Sequence, residues 1–226
     1  DRFGVSDADA LDRFGLLRNR TVLAHSDHVS RDLCAMASPS PTSQRAMSEQ
    51  ELLDSMLVAD GALELDAPAP VPEWQRPGDA RAEITLRDLL QMRSGLDHTE
   101  GGEVPYESSE VRMLFLDQRD DMAKFAEEQP LEAEPGEKFE YSSNTTVILA
   151  DIAADVLTRD RQDPEERRKA VDTYLRTRLF GPLGMTSMVP EYDAAGTLIG
   201  GSLIHATARD WARLGELLRN KGAYRG

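Results

Sequence analysis

The stretch PGEKFEYSSNTTVILADIAADVL, residues 135–157, contains the signals that decide the fold. A Pro-Gly turn and a short aromatic run lead into the polar step Tyr141-Ser142-Ser143, and an apolar helical stretch follows. Ser142, Ser143 or Asn144 can cap this helix, because Ser and Asn oxygens accept hydrogen bonds from the unpaired N–H groups of a first helical turn. The stretch by itself leaves open whether the polar step is a catalytic element or only a cap.

The same start and stop signals recur along the chain and predict further helices. At each start a side-chain oxygen can bind an unpaired N–H, and a nearby acidic residue favours the positive end of the helix. The starts are Ser48, Thr85, Asp163 and Thr207. Glycine, which adopts positive φ easily, closes the four helices at Gly61, Gly95, Gly181 and Gly222. The apolar stripes of two helices are Ile148, Ile152 and Val156, and Val171, Leu175 and Leu179.

Strand patterns are sparse by comparison. A further helix is predicted over residues 110–128, whereas strands are limited to residues 20–24, 138–141 and 197–204. The predicted fold class is therefore mainly α, with a small amount of strand.

The clearest internal break is SPSPTS at residues 38–43, since two prolines in a low-complexity run indicate a linker. We therefore divide the chain into an N-terminal fragment over residues 1–37, a linker over 38–47 and a helical domain over 48–226. The single cysteine, Cys34, excludes a disulfide scaffold and is read as a small buried residue.

Composition restricts the partners. The net charge of −15 works against binding to nucleic-acid backbones and anionic membranes. No run approaches the roughly 18 apolar residues of a membrane span, and the first residues lack the basic and apolar parts of a signal peptide. We expect a cytoplasmic protein with a small-molecule substrate.

From about residue 52 onward the chain resembles the serine β-lactamase-like hydrolases, the penicillin-recognising enzymes with their related esterases and amidases. The matching segments include LVADGALELDAPAPVPEW, ITLRDLLQMRSGLDH, PGEKFEYSSNTTVILADIAADVL and YLRTRLFGPLGMTSM, in the family's order. The resemblance implies an orphaned helical domain of that fold with little of its sheet. Apolar surfaces that meet the sheet in the family would then need other cover, which predicts a homo-oligomer.

The resemblance also implies a catalytic machinery that is incomplete here. Tyr141-Ser142-Ser143 stands at the family's Tyr-x-Asn element, with Ser143 in place of Asn, so Tyr141 and Ser143 are candidate catalytic residues. The family's Ser-x-x-Lys pair should lie shortly before LVADG, yet none of the four lysines has a serine three residues before it. The late Lys-Thr-Gly strand has no counterpart either.

Residues 16–37, LLRNRTVLAHSDHVSRDLCAMA, resemble a different family, the amidohydrolase barrels of nucleobase deaminases and related metal-dependent hydrolases. In that match His25 corresponds to the histidine at a strand end that faces metal-bound water or substrate. The two resemblances together indicate a chimera of an amidohydrolase fragment and a truncated β-lactamase-like domain.

Two histidines of this fragment, together with a later one, suggest a metal site. His25 and His28 stand three residues apart with Asp27 between them, and Asp32 shares their face if the stretch is helical. Two imidazoles and one carboxylate with an open fourth position are typical of catalytic zinc. His98, which follows SGLD on a turn, is the candidate third ligand, and Asp27 is a candidate catalytic carboxylate. Such a zinc ion would activate water for hydrolysis.

Three functions remain open from the sequence. The first, slightly favoured, is a hydrolase of activated esters or phosphoesters that uses zinc-activated water. The second is a non-catalytic helical domain that assembles with itself. The third is a residual serine esterase in which Tyr141 acts as base for a nearby serine.

Overall fold

The computed structural model describes residues 49–101, 104–159 and 162–220. In these ranges the chain is mainly helical and contains one pair of short strands, which confirms the predicted fold class. The predicted boundaries at residues 37 and 47 lie outside the described residues. The described residues divide into two compact units, one of residues 49–175 with Pro190–Ile204, and one of Arg176–Val189 with residues 205–220.

The larger unit contains six α-helices and three short 3-10 turns. The helices are α1 (Glu49–Ala59), α2 (Leu86–Leu90), α3 (Ser109–Phe115), α4 (Met122–Glu127), α5 (Ser143–Thr158) and α6 (Pro164–Leu175). The 3-10 turns are Pro72–Trp74, Ala80–Glu83 and Pro105–Glu107.

Helix α5 forms the centre of the larger unit. It contacts α1, α2, α3, α4 and α6, and buried residues occur on nearly all of its faces. A helix that is apolar all round is a core helix, whereas a single stripe indicates a surface helix. Ile148 and Ile152 of the predicted stripe are buried, but Val156 is only half-buried. Nearly every position from 143 to 154 is buried, so the burial is not confined to one stripe.

Helix α2 starts as predicted and ends earlier. Thr85 and Asp88 form a capping box, in which the Thr85 hydroxyl accepts from the Asp88 N–H and the Asp88 carboxylate accepts from the Thr85 N–H. The helix stops at Leu90 rather than near Gly95, and Met92 follows with a positive φ of 55°. Gly95 lies in the loop that follows the helix and does not end it. Its φ is 77°, and a Cβ there would lie 2.3 Å from the carbonyl oxygen of Ala133.

The prediction of one continuous helix over residues 110–128 is wrong. The stretch contains two helices, α3 and α4, and the chain bends between them after Phe115. Asp121 starts the second helix by accepting a hydrogen bond from the Lys124 N–H, so its side chain competes with a continuous helix.

The smaller unit contains a π-helical turn at Arg176–Phe180, the short turn α7 (Gly181–Leu183) and helix α8 (Ala208–Arg219). The predicted stripe Val171, Leu175 and Leu179 is buried at every position. Thr207 caps α8 as predicted, and its hydroxyl accepts from the Asp210 N–H. Asp210 also accepts hydrogen bonds from the N–H and hydroxyl of Ser187.

Strands β1 (Val189–Pro190) and β2 (Ile204–His205) pair in one two-stranded sheet. The predicted strand at 138–141 is not formed, and the one at 197–204 is reduced to β2 and an isolated bridge between Tyr192 and Leu198. The strand predicted at 20–24 lies outside the described residues. Within the described ranges, no helix combines the length and the apolar character that crossing a bilayer requires.

Candidate functional site

Tyr141, Ser142 and Ser143 lead into the N-terminus of α5. Ser142 is the N-cap, and its oxygen accepts hydrogen bonds from the N–H groups of Asn144 at 3.1 Å and Thr145 at 3.4 Å. Tyr141 is 37% exposed, whereas Ser143 is only 3% exposed. The cap prediction is therefore confirmed for Ser142, and the two candidate catalytic residues have different access to solvent.

Ser143 is held by a carboxylate that the sequence did not identify. Its hydroxyl donates to Glu100 Oε1 at 2.6 Å, and its backbone N–H donates to Glu100 Oε2 at 2.9 Å. Glu100 is exposed and lies 43 residues earlier in the chain. No local pattern links residues so far apart, so only the fold could reveal this contact.

Thr99, the residue before Glu100, is held at the start of α3. The Thr99 N–H donates to Ser109 Oγ at 2.8 Å, and the Ser109 N–H donates to Thr99 Oγ1 at 2.8 Å. Ser109 Oγ also lies 3.3 Å from Asn144 Oδ1 on α5. These contacts connect the loop of Glu100 with two helices of the larger unit.

A small cavity of about 10 Å³ lies beside the N-cap of α5. This volume is room for about one water molecule. The side chains of the cavity wall that bear on the chemistry are Met92, Ser94, His98, Lys138, Ser142 and Thr145. The positive φ of Met92 places a strained residue in this wall, a conformation that is enriched near functional sites.

His98, the predicted third metal ligand, is buried at 3% exposure. Its Nε2 lies 3.1 Å from the carbonyl oxygen of Ala126, which can only accept, so Nε2 carries the proton. Nδ1 lies 3.4 Å from the Thr145 hydroxyl. Burial lowers the pKa of His98 to about 4, although the hydrogen bond to Ala126 works in the other direction. Metal binding at His98 would require the loss of one of these contacts.

His25, His28 and Asp27 lie outside the described residues, so the predicted zinc site stays a prediction. Among the residues that the structure describes, no group of three or more His, Cys, Asp or Glu side chains could hold a metal ion.

Lys138 shares the cavity wall with Ser142, yet it does not supply the missing lysine base. Its Nζ forms ion pairs with Glu132 at 2.6 Å and Glu140 at 2.8 Å. The hydrogen bond that Lys138 donates to Glu132, followed by the one it donates to Glu140, raises the pKa of Lys138 well above its usual value. Its amine therefore stays protonated and cannot accept a proton from a serine.

A family model described as Beta-lactamase matches residues 52–225 of the chain. No curated protein sequence matches it.

Solved structures share the fold at low sequence identity. A protein assigned as a 6-aminohexanoate-dimer hydrolase from Bacillus anthracis is 19% identical, with a TM-score of 0.59 over 80% of this chain and 49% of that chain. The D-amino acid amidase from Ochrobactrum anthropi SV3 is 21% identical, with a TM-score of 0.52 over 78% and 56%. A protein assigned as a beta-lactamase from Bacteroides dorei DSM 17855 is 21% identical, with a TM-score of 0.51 over 77% and 48%. The chain thus spans about half the length of the structures it resembles.

Proposed function

Since the chain belongs to the beta-lactamase family, we propose that this hydrolase cleaves ester or amide bonds at a carbonyl carbon, and that the reaction takes place at Tyr141–Ser143. The observation that carries this proposal is the position of the segment. It stands within the matched residues, at the positive N-terminal end of a 16-residue core helix, where negative charge on a reacting oxygen is stabilised.

Tyr141 is the residue of this segment with most access to substrate, because its side chain is partly exposed. A phenolic hydroxyl can donate a hydrogen bond to the oxygen on which charge develops during attack. Two of the structures with this fold are described as a 6-aminohexanoate-dimer hydrolase and a D-amino acid amidase, so amides belong in the substrate screen alongside esters.

The test is steady-state hydrolysis of p-nitrophenyl acetate and of a p-nitroanilide by the full chain. Tyr141→Phe removes the hydroxyl and is expected to lower kcat by about 100-fold, the loss typical of removing one donor to a developing charge. The matched control is Tyr106→Phe, which removes a hydroxyl from a 67% exposed tyrosine. Equal rates for Tyr141→Phe and the wild type would contradict the role of Tyr141.

Zinc held by His25 and His28 is the second candidate route, and the His-x-x-His pattern with Asp27 favours it. It would extend the substrates to phosphoesters, because a metal ion stabilises charge on phosphoryl oxygens. Elemental analysis of the purified protein, with activity measured after chelation, distinguishes the routes. The hydroxyl route predicts unchanged activity in metal-free protein, and the zinc route predicts its loss in metal-free protein and in His25→Ala. The amidohydrolase-like origin of residues 16–37, and with it the chimera, stays a prediction.

A further inference from the structure

The hydrogen bond between Ser143 and Glu100 is more than helix capping requires. Ser142 already accepts the N–H groups of Asn144 and Thr145 at the start of α5. The Glu100 carboxylate adds a bond to the Ser143 N–H, and it also takes the Ser143 hydroxyl at 2.6 Å. A serine hydroxyl at this distance from a carboxylate has the contact that a nucleophile and its general base need.

The second carboxylate oxygen orients this base. Because the Ser143 N–H holds Glu100 Oε2 at 2.9 Å, Oε1 is directed at the hydroxyl of the same residue. The N–H of Ser143 thus holds the carboxylate against the hydroxyl that it would deprotonate. The bonds between Thr99 and Ser109 hold the residue immediately before Glu100 in the chain.

The charged neighbours of Glu100 set the electrostatics of the proposed pair. Among the described residues, no lysine or arginine forms an ion pair with it. Glu110 is its acidic neighbour, and burial together with the charge of Glu100 raises the pKa of Glu110. In the described part of the chain, Glu100 thus has another carboxyl group as a neighbour, lies at the positive end of α5 and forms no ion pair.

An unused donor stands next to the nucleophile in the chain. Asn144 is fully buried, and its Nδ2 has no hydrogen-bond partner in the described part of the chain. Buried amide donors without a partner are uncommon, and a site for acyl transfer needs a donor for the oxyanion.

We propose that Ser143 and Glu100 form a nucleophile–base pair that accepts short acyl groups from esters with phenol-type leaving groups. This pair rests on the proposed hydrolase function and supplies its nucleophile, in place of the Ser-x-x-Lys pair. Short acyl groups are favoured because Ser143 is 3% exposed, and phenolates are favoured because they leave with little need of a proton.

The steps balance without a further reactant. Ser143 Oγ bonds to the acyl carbon while its proton moves to Glu100. The bond from carbon to the phenolic oxygen then breaks, and the phenolate takes the proton from Glu100. In the second half, water gives a proton to Glu100 and attacks the acyl carbon, and Ser143 leaves with that proton.

The test is covalent labelling of the full chain with diisopropyl fluorophosphate, followed by intact-mass measurement and peptide mapping. A single adduct on Ser143 is expected, and Ser143→Ala is expected to lose it. Glu100→Gln keeps the shape of the side chain but removes the base, so labelling should slow by at least about 100-fold. The matched control is Thr158→Ala, which removes a buried hydroxyl at the other end of α5 and should label at the wild-type rate.

The possible outcomes distinguish failure of the Ser143–Glu100 pair from failure of the proposed hydrolase function. Folded wild-type protein that shows no adduct, an adduct on another residue, or a Glu100→Gln variant that labels at the wild-type rate would each overturn the pair, even if Ser143→Ala failed to fold. Ester hydrolysis that persists in Glu100→Gln would overturn the pair and leave the proposed function in place. An adduct on Ser143 without turnover of p-nitrophenyl acetate would support the pair and count against the proposed function.

Discussion

His98 shows how burial changes the chemistry of a single side chain. An exposed histidine can bind a metal ion or titrate near neutral pH, but His98 is enclosed between the carbonyl oxygen of Ala126 and the hydroxyl of Thr145. Burial disfavours the charged imidazolium, so the ring is neutral over most of the pH range. Its position near the first turn of α5 makes it a structural link between α4 and the candidate site.

We predict that His98 weakens the fold in acid. Its pKa is lowered from 6.5 to about 4 in the folded chain, so the unfolded chain binds the extra proton between these values. Stability is then fully present above pH 6.5 and falls as the pH drops toward 4, by about 3 kcal/mol for this shift. Urea unfolding at several pH values measures the slope. His98→Gln should flatten it, and the control His205→Gln, at an exposed histidine, should retain it.

Glu127 is a buried acid, and burial raises its pKa whereas burial lowers the pKa of His98. It is 6% exposed at the end of α4, and burial, assisted by the charges of Asp151, Glu73, Asp155 and Asp121, raises its pKa to about 9. A carboxylate in such a place would be very costly, so the group stays protonated at neutral pH.

The sign of its effect on stability follows directly. Between the ordinary pKa of 4.5 and about 9, the folded chain holds a proton at Glu127 that the unfolded chain releases. The stability that this proton provides is complete below pH 4.5 and is lost as the pH rises through 9. Glu127→Gln should remove this loss and make the chain more stable than wild type at pH 8, by at least about 1 kcal/mol. Thermal unfolding at pH 5 and pH 8 tests it, and an equal pH dependence in both proteins would refute the assignment.

At the scale of elements, α5 and α6 are joined by a buried ion network. The Arg167 guanidinium on α6 pairs with Asp151 and Asp155 on α5, and Thr197 donates a hydrogen bond to Asp151 at 2.8 Å. Burial raises the pKa of Asp151 to about 6 even though Arg167 works against this rise. Removing the cation would leave two acidic groups without their partner in the interior.

We therefore expect Arg167→Met to destabilise the chain by about 3–5 kcal/mol, the usual loss when one partner of a buried ion pair is removed. Arg168→Met is the matched control on the same helix. Arg168 is 43% exposed in its ion pair with Glu165, and its loss should cost under about 1 kcal/mol. Chemical denaturation of both variants provides the comparison. Adding Asp151→Asn and Asp155→Asn to Arg167→Met should recover part of the loss.

For the whole molecule, the distribution of apolar side chains bears on assembly. Large apolar residues with exposed surface include Tyr106 at 67%, Phe115 at 57%, Leu116 at 44% and Phe139 at 52%. Large exposed apolar side chains are candidate interface residues, and the sequence predicts a homo-oligomer. Sedimentation velocity over a tenfold range of concentration should show association. Replacing Phe115 and Leu116 by serine should shift the protein toward monomer, whereas an unshifted monomer in the wild type would contradict the prediction.

The helix starts were predictable because their signals are local. Thr85 with Asp88, Thr207 with Asp210, and Ser142 with Thr145 each involve residues within three positions, so the pattern and the hydrogen bond lie in the same short stretch. The single helix expected over 110–128 failed because the side chain of Asp121 forms a new cap in the middle of the run.

The sequence by itself determined the helical class, most helix starts and the family resemblance, and it predicted Tyr141 and Ser143 as candidate catalytic residues. Only the tertiary structure decided that Glu100 binds Ser143, that His98 is enclosed, and that Lys138 is held by Glu132 and Glu140. The physical reason is that caps and apolar periodicity act between neighbours in the chain, whereas the partners of Ser143 and His98 lie 43 and 47 residues away. Those pairings, and the protonation states that follow from them, depend on the path of the loops through the folded molecule.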